Sequence, residues 1–104
     1  MDAFAEIGVF TRVVDARSFS RAGTLLGLTP SGVSRAVSRL EDRLGVRLLN
    51  RSTRSLSLTD AGAAYYARCA RILSEHPGMT TFQLKNALYL AAANVRLVDS
   101  DPGR

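Results

Sequence analysis

The connection between residues 26 and 30 constrains the fold of this chain more than any other sequence feature. Gly27 stands where a helix would end, because glycine adopts the left-handed conformation that closes a last helical turn without steric cost. Thr29 and Pro30 then restart a helix, since threonine caps an N-terminus and proline suits the first helical position. Two helices joined by so short a turn are typical of a helix-turn-helix unit.

Apolar spacing predicts the helices around this turn. The first helix runs from a cap at Asp2 to about Arg17, and its apolar stripe is formed by Phe4, Ile7, Phe10 and Val14. The second begins at one of two candidate caps, Ser18 or Ser20. The third runs from Pro30 to a terminal glycine, Gly45, and its buried stripe is formed by Val33, Val37, Leu40 and Leu44.

From Val46 to Leu58 the hydrophobic period changes from that of a helix to that of a strand. Val46 and Leu48 mark one short strand, and Leu56 and Leu58 mark another. The connection over 50–54 is polar and carries two Arg, which is typical of an exposed wing. The sequence therefore predicts a mainly α fold, a winged helix-turn-helix with a three-helix core and a short two-stranded wing, over residues 1–58.

A fourth helix is predicted to follow the wing over residues 59–76, capped by Thr59 or Asp60. It carries two adjacent apolar rows, which predict a linker helix that pairs two copies of the chain. The predicted dimerisation residues are Tyr65, Tyr66, Cys69, Ile72 and Leu73. Pro77 interrupts this helix, so residues 77–104 are predicted to form an atypical helical tail with a frayed end.

The charge of the chain favours a polyanionic partner. Its 104 residues carry 14 Lys and Arg against 9 Asp and Glu, a formal net charge of +5, and every basic residue except Lys85 is Arg. The stretch from Arg17 to Arg54 contains eight Arg against only Glu41 and Asp42. Arginine presents a rigid fork of donors that suits phosphate and guanine, so nucleic acid is the expected partner.

Several separated motifs together resemble those of LysR-type transcriptional regulators. They are SFSRA at 18–22, LTPSGVSRAVSRLE at 28–41, LGVRLLNR at 44–51 and LTDAG at 58–62. The resemblance covers roughly residues 1–75 and is specific, because the motifs agree in order and register. It implies a cytoplasmic bacterial transcription factor with a winged helix-turn-helix, then a dimerising linker helix and an effector-binding domain. We expect the effector-binding domain to be absent and the linker helix to be partial.

The predicted contacts to double-stranded DNA lie at helix starts, on the outer face of the third helix and on the wing. They are Ser18, Ser20, Thr29, Pro30, Ser31, Ser34, Arg35, Ser38, Arg39, Arg51, Thr53 and Arg54. Arg35 is predicted to contact a base edge or a phosphate, with a solvated surface role as the alternative. Arg51 and Arg54 are predicted to stand at the wing tip and to reach a phosphate or the minor groove, with solvated surface charge as the alternative. The resemblance implies that Pro30 packs against thymine methyl groups.

The sequence offers little support for catalysis. Cys69 and His76 share a helical face, but no Asn or Asp is placed to orient the histidine, and a single Cys and His do not build a zinc site. We therefore expect no enzyme activity, cofactor, metal, membrane span or small-molecule effector. Besides a homodimeric regulator, two alternatives stay open: a truncated interaction protein that forms mixed dimers with a full-length relative, and an inactive gene fragment.

Overall fold

The structure is a computed structural model that describes residues 2–51 and 56–75, together with Gly78, Gln83 and Ala87. Thr53 and Arg54 of the wing, the side chain of Leu73 and most of the predicted tail over 77–104 lie outside the described residues. The described elements follow the order helix, helix, helix, strand, strand, helix. They are α1 (Ala3–Ala16), α2 (Phe19–Leu26), α3 (Pro30–Leu44), β1 (Leu49–Arg51), β2 (Leu56–Leu58) and α4 (Asp60–Glu75).

Polar side chains cap the first three helices. The Asp2 carboxylate accepts a hydrogen bond from the Ala5 amide at 2.8 Å and so begins α1. Of the two candidate caps of α2, Ser18 is the one used: its hydroxyl accepts from the Arg21 amide at 3.2 Å. Thr29 caps α3 through the Gly32 amide at 3.0 Å, with Pro30 at the first helical position as predicted.

Two glycines in the left-handed conformation end α2 and α3. Gly27 has φ 71° and Gly45 has φ 72°. The amides of Gly27 and Leu28 both donate to the Gly23 carbonyl, which closes α2 and aims the chain directly into α3. The predicted helix-turn-helix is therefore confirmed, and its tight turn is held by backbone hydrogen bonds.

The core lies where α1, α2, α3 and the first half of α4 meet. The stripe predicted for α3 is buried throughout, whereas Phe4 and Val14 of the stripe predicted for α1 are only partly buried and Val13 is fully buried instead. The rings of Phe10 and Tyr65 stack with centroids 5.8 Å apart, which joins α1 to α4. The largest fully buried apolar side chains are Tyr65, Phe10, Leu40, Leu48, Leu49, Val13, Val33 and Val37.

The wing is a two-stranded antiparallel sheet that begins later than predicted. Leu49 pairs with Leu58, and Arg51 pairs with Leu56. The prediction that the first strand includes Val46 and Leu48 is wrong, although both are buried. The Leu48 amide, and the Leu49 amide after it, donate to the carboxylate of Glu41, so this stretch is bound to α3 before it can pair with β2.

The fourth helix docks onto the same core, and this corrects part of the predicted dimer interface. Tyr65 and Cys69 are 0% exposed within a single chain, so neither side chain can contact a second copy. Their apolar row packs against this chain's own core. The fold is nevertheless mainly α, with a three-helix core, a wing and a following helix, so the predicted fold class is confirmed.

Candidate nucleic-acid interface

The outer face of α3 presents polar and cationic side chains to solvent. Pro30, Ser31, Arg35 and Arg39 are exposed, and Ser34 and Ser38 are half-buried along one side of the same face. The face is exposed because the opposite side of α3 is inserted in the core. An exposed helix of this width and polarity fits the major groove of B-form DNA.

Arg35 and Arg39 remain uncompensated on this face. Within the described residues, neither guanidinium forms an ion pair or a hydrogen bond. Arg43, farther along α3, is instead bound to Glu6, with its Nε 2.7 Å from the Glu6 carboxylate oxygen Oε1. Glu6 is fully buried, so Arg43 is drawn towards α1 and away from the outer face. Arg35 and Arg39 are therefore the α3 cations that can meet a phosphate or a guanine without first breaking a described contact.

The predicted contacts at the helix starts are first of all caps. Ser18 and Thr29 use their hydroxyls to accept backbone amides, and the Thr29 hydroxyl also lies 3.3 Å from that of Ser31. Ser20 is exposed on the first turn of α2, and its backbone carbonyl accepts from the hydroxyl of Thr24. Ser20 and Ser31 thus retain exposed hydroxyls at helix N-termini, where the helix dipole favours an anion.

Arg51 does not stand at the wing tip, and this prediction is corrected. It ends β1, and its guanidinium folds back over α3. One terminal nitrogen donates to the hydroxyls of Ser34 at 3.1 Å and Ser38 at 2.9 Å. The other donates to Glu41 at 3.1 Å, and the guanidinium carbon lies 5.4 Å from the centre of the Phe19 ring. Arg51 therefore connects β1 to both helices of the helix-turn-helix.

Glu41 is the interface residue that sequence reasoning did not single out. One of its carboxylate oxygens accepts from the amides of Leu48 and Leu49 at 2.8 and 3.1 Å, and the other accepts from Arg51. A signal was present, because Ser34, Ser38 and Glu41 follow the i, i+4, i+7 spacing of one helical face. An acid on that face, within a strongly basic stretch, indicates a fixed cation nearby.

On α4, the residues left for a dimer interface are fewer than predicted. Tyr66 is half-buried and donates from its phenol to the carboxylate of Asp15, and this hydrogen bond raises the pKa of Tyr66. Ile72 is half-buried against the core. Burial raises the pKa of the Cys69 thiol from 9.0 to about 11. A neutral, enclosed thiol of this kind is suited to packing.

Two further properties of the described residues bear on function. Within residues 2–51 and 56–75, no three His, Cys, Asp or Glu side chains lie close enough together to hold a metal ion. No helix in that part of the chain combines the length and apolar character needed to cross a membrane.

Three helices with a tight glycine turn, a two-stranded wing and a cationic outer face on α3 define the class of winged helix-turn-helix domains. Residues 4–63 match the family model described as the bacterial regulatory helix-turn-helix protein, lysR family. The match covers more than half of the chain, so this protein belongs to the LysR family of bacterial regulatory helix-turn-helix proteins.

The proteins that are similar to this chain support the assignment. The HTH-type transcriptional regulator CrgA of Neisseria meningitidis serogroup B (strain MC58) is 50% identical over 95 residues, which cover 91% of this chain and 31% of that protein. The chain thus spans about a third of the length of this curated relative. The chain is also similar to the BenM DNA-binding domain in its crystal structure with benA site 1 DNA, with 29% sequence identity and a TM-score of 0.67. That match covers 84% of this chain and 97% of the BenM domain. Full-length CbnR complexed with its target DNA is 34% identical with a TM-score of 0.63, over 75% of this chain and 27% of that one.

Proposed function

We propose that this chain binds duplex DNA in a sequence-dependent manner, as part of a transcriptional regulator that acts in the bacterial cytoplasm. The observation that carries the proposal is the pair Arg35 and Arg39, exposed on α3 and without an acidic partner among the described residues. The N-terminal half of α3 would enter the major groove, with Arg35 at a base edge or phosphate. The two DNA complexes at 29% and 34% identity support DNA binding by a domain of this fold.

The remaining predicted contacts would surround this helix. Pro30 is exposed at the start of α3, where its ring can meet a thymine methyl group. Ser20 and Ser31 offer hydroxyls to phosphates, and these contacts set the register of the domain on the duplex without reading sequence. Thr53 and Arg54 are proposed, from sequence alone, to extend the interface from the wing into the flanking groove.

The proposal is tested by selecting preferred duplexes from a randomised pool and then measuring the affinity of each single-base-pair variant. Arg35→Ala is expected to lower affinity about tenfold and to relax preference at one or two base pairs, as loss of a base contact does. Arg12→Ala is the control, because Arg12 is exposed on α1, outside the helix-turn-helix. Unchanged affinity and preference in Arg35→Ala would contradict the docking model.

We also propose that two copies pair through α4, around the partly buried Tyr66 and Ile72 and, from sequence alone, Leu73. With Tyr65 and Cys69 in the core, these three residues are what remains of the predicted interface. A two-fold dimer would favour an inverted-repeat site, because each copy places its own α3 in the groove.

The dimer is tested by sedimentation of the wild-type chain and of the double variant Tyr66→Ser/Leu73→Ser. We expect a dimer at roughly tens of micromolar that the double variant dissociates. Arg68→Ser, at an exposed position of α4, is a control that changes the same helix without removing an apolar side chain. A double variant that stays dimeric would place the interface elsewhere.

A further inference from the structure

Arg51 uses both terminal nitrogens of its guanidinium within the protein. Its described partners are the hydroxyls of Ser34 and Ser38, the carboxylate of Glu41 and the ring of Phe19. Only 28% of its side chain is exposed, and its charge is matched by that of Glu41 at 3.1 Å. A phosphate would compete with Glu41 for this guanidinium, so Arg51 is less well placed for a direct contact with DNA than Arg35 and Arg39, which have no described acidic partner.

The same geometry determines how the two serines can bond. A serine hydroxyl has one donor hydrogen and two lone pairs. In Ser34 and Ser38 one lone pair accepts from Arg51, and no described residue accepts from either hydroxyl. Each O–H hydrogen is therefore available to donate to an acceptor outside the protein. An amino group that approached either serine oxygen as a donor would come close to the positive guanidinium already bonded to that oxygen, and this is unfavourable.

We propose that Arg51 is a positioning residue that fixes Ser34 and Ser38 as hydrogen-bond donors towards DNA. This inference rests on the proposed function, because it presumes that α3 lies in the major groove. There the two serines would prefer acceptor atoms, which are N7 and O6 of guanine, N7 of adenine and O4 of thymine. Positions that present the amino group of cytosine would be disfavoured.

Glu41 couples this preference to the wing. Its carboxylate holds Arg51 on one oxygen and the amides of Leu48 and Leu49 on the other. The start of β1 and the serine side of α3 are thus bound to a single side chain. A wing that moved away from α3 would also release the guanidinium that orients the serines.

The experiment is a double-mutant cycle that compares four proteins: wild type, Arg51→Lys, Ser34→Ala/Ser38→Ala, and all three changes together. Lysine keeps the charge beside Glu41 but lacks the planar fork that joins three partners at once. For each protein, affinity is measured for the selected duplex and for its single-base-pair variants. Arg12→Lys serves as the matched control on α1.

For a G·C pair at the serine contact, we compare the orientation that places guanine O6 and N7 opposite the serines with the reversed orientation, which places the cytosine amino group there. We expect Arg51→Lys to lower the ratio of these two affinities by about three- to tenfold, the contribution of one or two neutral hydrogen bonds. In the background without the serine hydroxyls, the same change should have no further effect on that ratio. Additive effects would show that Arg51 contacts DNA itself, and an unchanged ratio in Arg51→Lys would show that it does not orient the serines. Either result overturns the proposal.

Urea unfolding of the same four proteins, without DNA, separates this inference from the proposed function. Coupling between Arg51 and the serines should appear in the free energy of unfolding, because their hydrogen bonds exist in the free protein. If the wild-type chain binds no duplex at low salt, the proposed function fails, and so does the proposal that the two serines donate to DNA. The coupling between Arg51 and the serines in the free energy of unfolding would persist in that case. If the coupling is absent while DNA binding is retained, only the positioning role is overturned.

Discussion

Cys69 shows how burial changes the chemistry of a single side chain. Its thiol is 0% exposed, and burial raises its pKa to about 11. A raised pKa means that the folded state favours the protonated thiol, so the associated stability is fully present below pH 9 and is lost as pH rises towards 11. The raised pKa of Tyr66, due to its hydrogen bond with Asp15, acts in the same direction above the ordinary tyrosine value of 10.0.

We predict that Cys69 resists alkylation in the native protein at pH 7 to 9. Iodoacetamide reacts with a thiolate, and the folded chain both excludes the reagent and disfavours that form. Mass spectrometry should show labelling that follows urea unfolding, since the unfolded thiol regains its ordinary pKa. Rapid labelling of the folded protein at pH 8 would show that α4 does not stay docked on the core.

Arg17 is the only described non-glycine residue with positive φ, at 54°, and it ends α1. The left-handed conformation costs a side-chain-bearing residue about 1–2 kcal/mol, most of which glycine avoids. We predict that Arg17→Gly raises the free energy of unfolding by about 0.5–1 kcal/mol, measured in urea. Arg17→Ala removes the guanidinium but keeps the conformational cost, so a comparable gain in that variant would assign the effect to charge.

At the level of the elements, the carbonyl of Leu48, just before β1, approaches the backbone of α4. Thr59 caps α4 by accepting from the Gly62 amide at 2.9 Å, and its hydroxyl donates to the Arg47 carbonyl at 2.6 Å. The Thr59 amide in turn donates to the carbonyl of Leu48 at 3.0 Å. These bonds bring the Leu48 carbonyl close to Gly62. A Cβ atom on residue 62 would lie only 1.9 Å from the Leu48 carbonyl oxygen.

We predict that Gly62→Ala lowers the free energy of unfolding by about 1–3 kcal/mol, the usual range for forcing an atom into a packed site. Gly8→Ala is the matched control, because a Cβ on Gly8 in α1 meets no atom within 4 Å. That change should stabilise the protein by about 0.5–1 kcal/mol through helix propensity. Thermal unfolding of both variants checks the difference in sign, and equal effects would contradict the close approach of α4 to Leu48.

For the whole molecule, the net charge of +5 and the two α3 cations without a partner among the described residues, Arg35 and Arg39, predict salt-dependent DNA binding. Log affinity should fall linearly with log salt concentration, and the slope should steepen by about 0.9 for each phosphate neutralised. Arg35→Gln/Arg39→Gln should therefore flatten the slope, measured by fluorescence anisotropy between 50 and 200 mM salt, concentrations typical for such a series. Arg43→Gln should leave the slope nearly unchanged, because Arg43 is bound to Glu6. An affinity that does not change with salt concentration would exclude an interface based on phosphate contacts.

Local sequence was sufficient for the helix-turn-helix. The cap at Thr29 and the closing glycines at Gly27 and Gly45 act within a few residues of their own helix ends, as does the cap of α2, for which the sequence left Ser18 and Ser20 as alternatives. Interactions of such short range depend on residue type and spacing, which a sequence displays directly. The exposed position of Arg35 follows equally, since the apolar stripe of α3 leaves only the opposite face for it.

Contacts between elements were decided by the tertiary structure alone. The apolar row of α4 that contains Tyr65 and Cys69 has the same pattern whether it meets a second copy or its own core, and only the position of α4 against α1 selects the core. Likewise, periodicity places Arg51 on a wing but cannot show that Glu41, ten residues earlier, holds it over Ser34 and Ser38. The physical reason is that burial and ion pairing depend on which surfaces meet, whereas capping and periodicity depend only on neighbours along the chain.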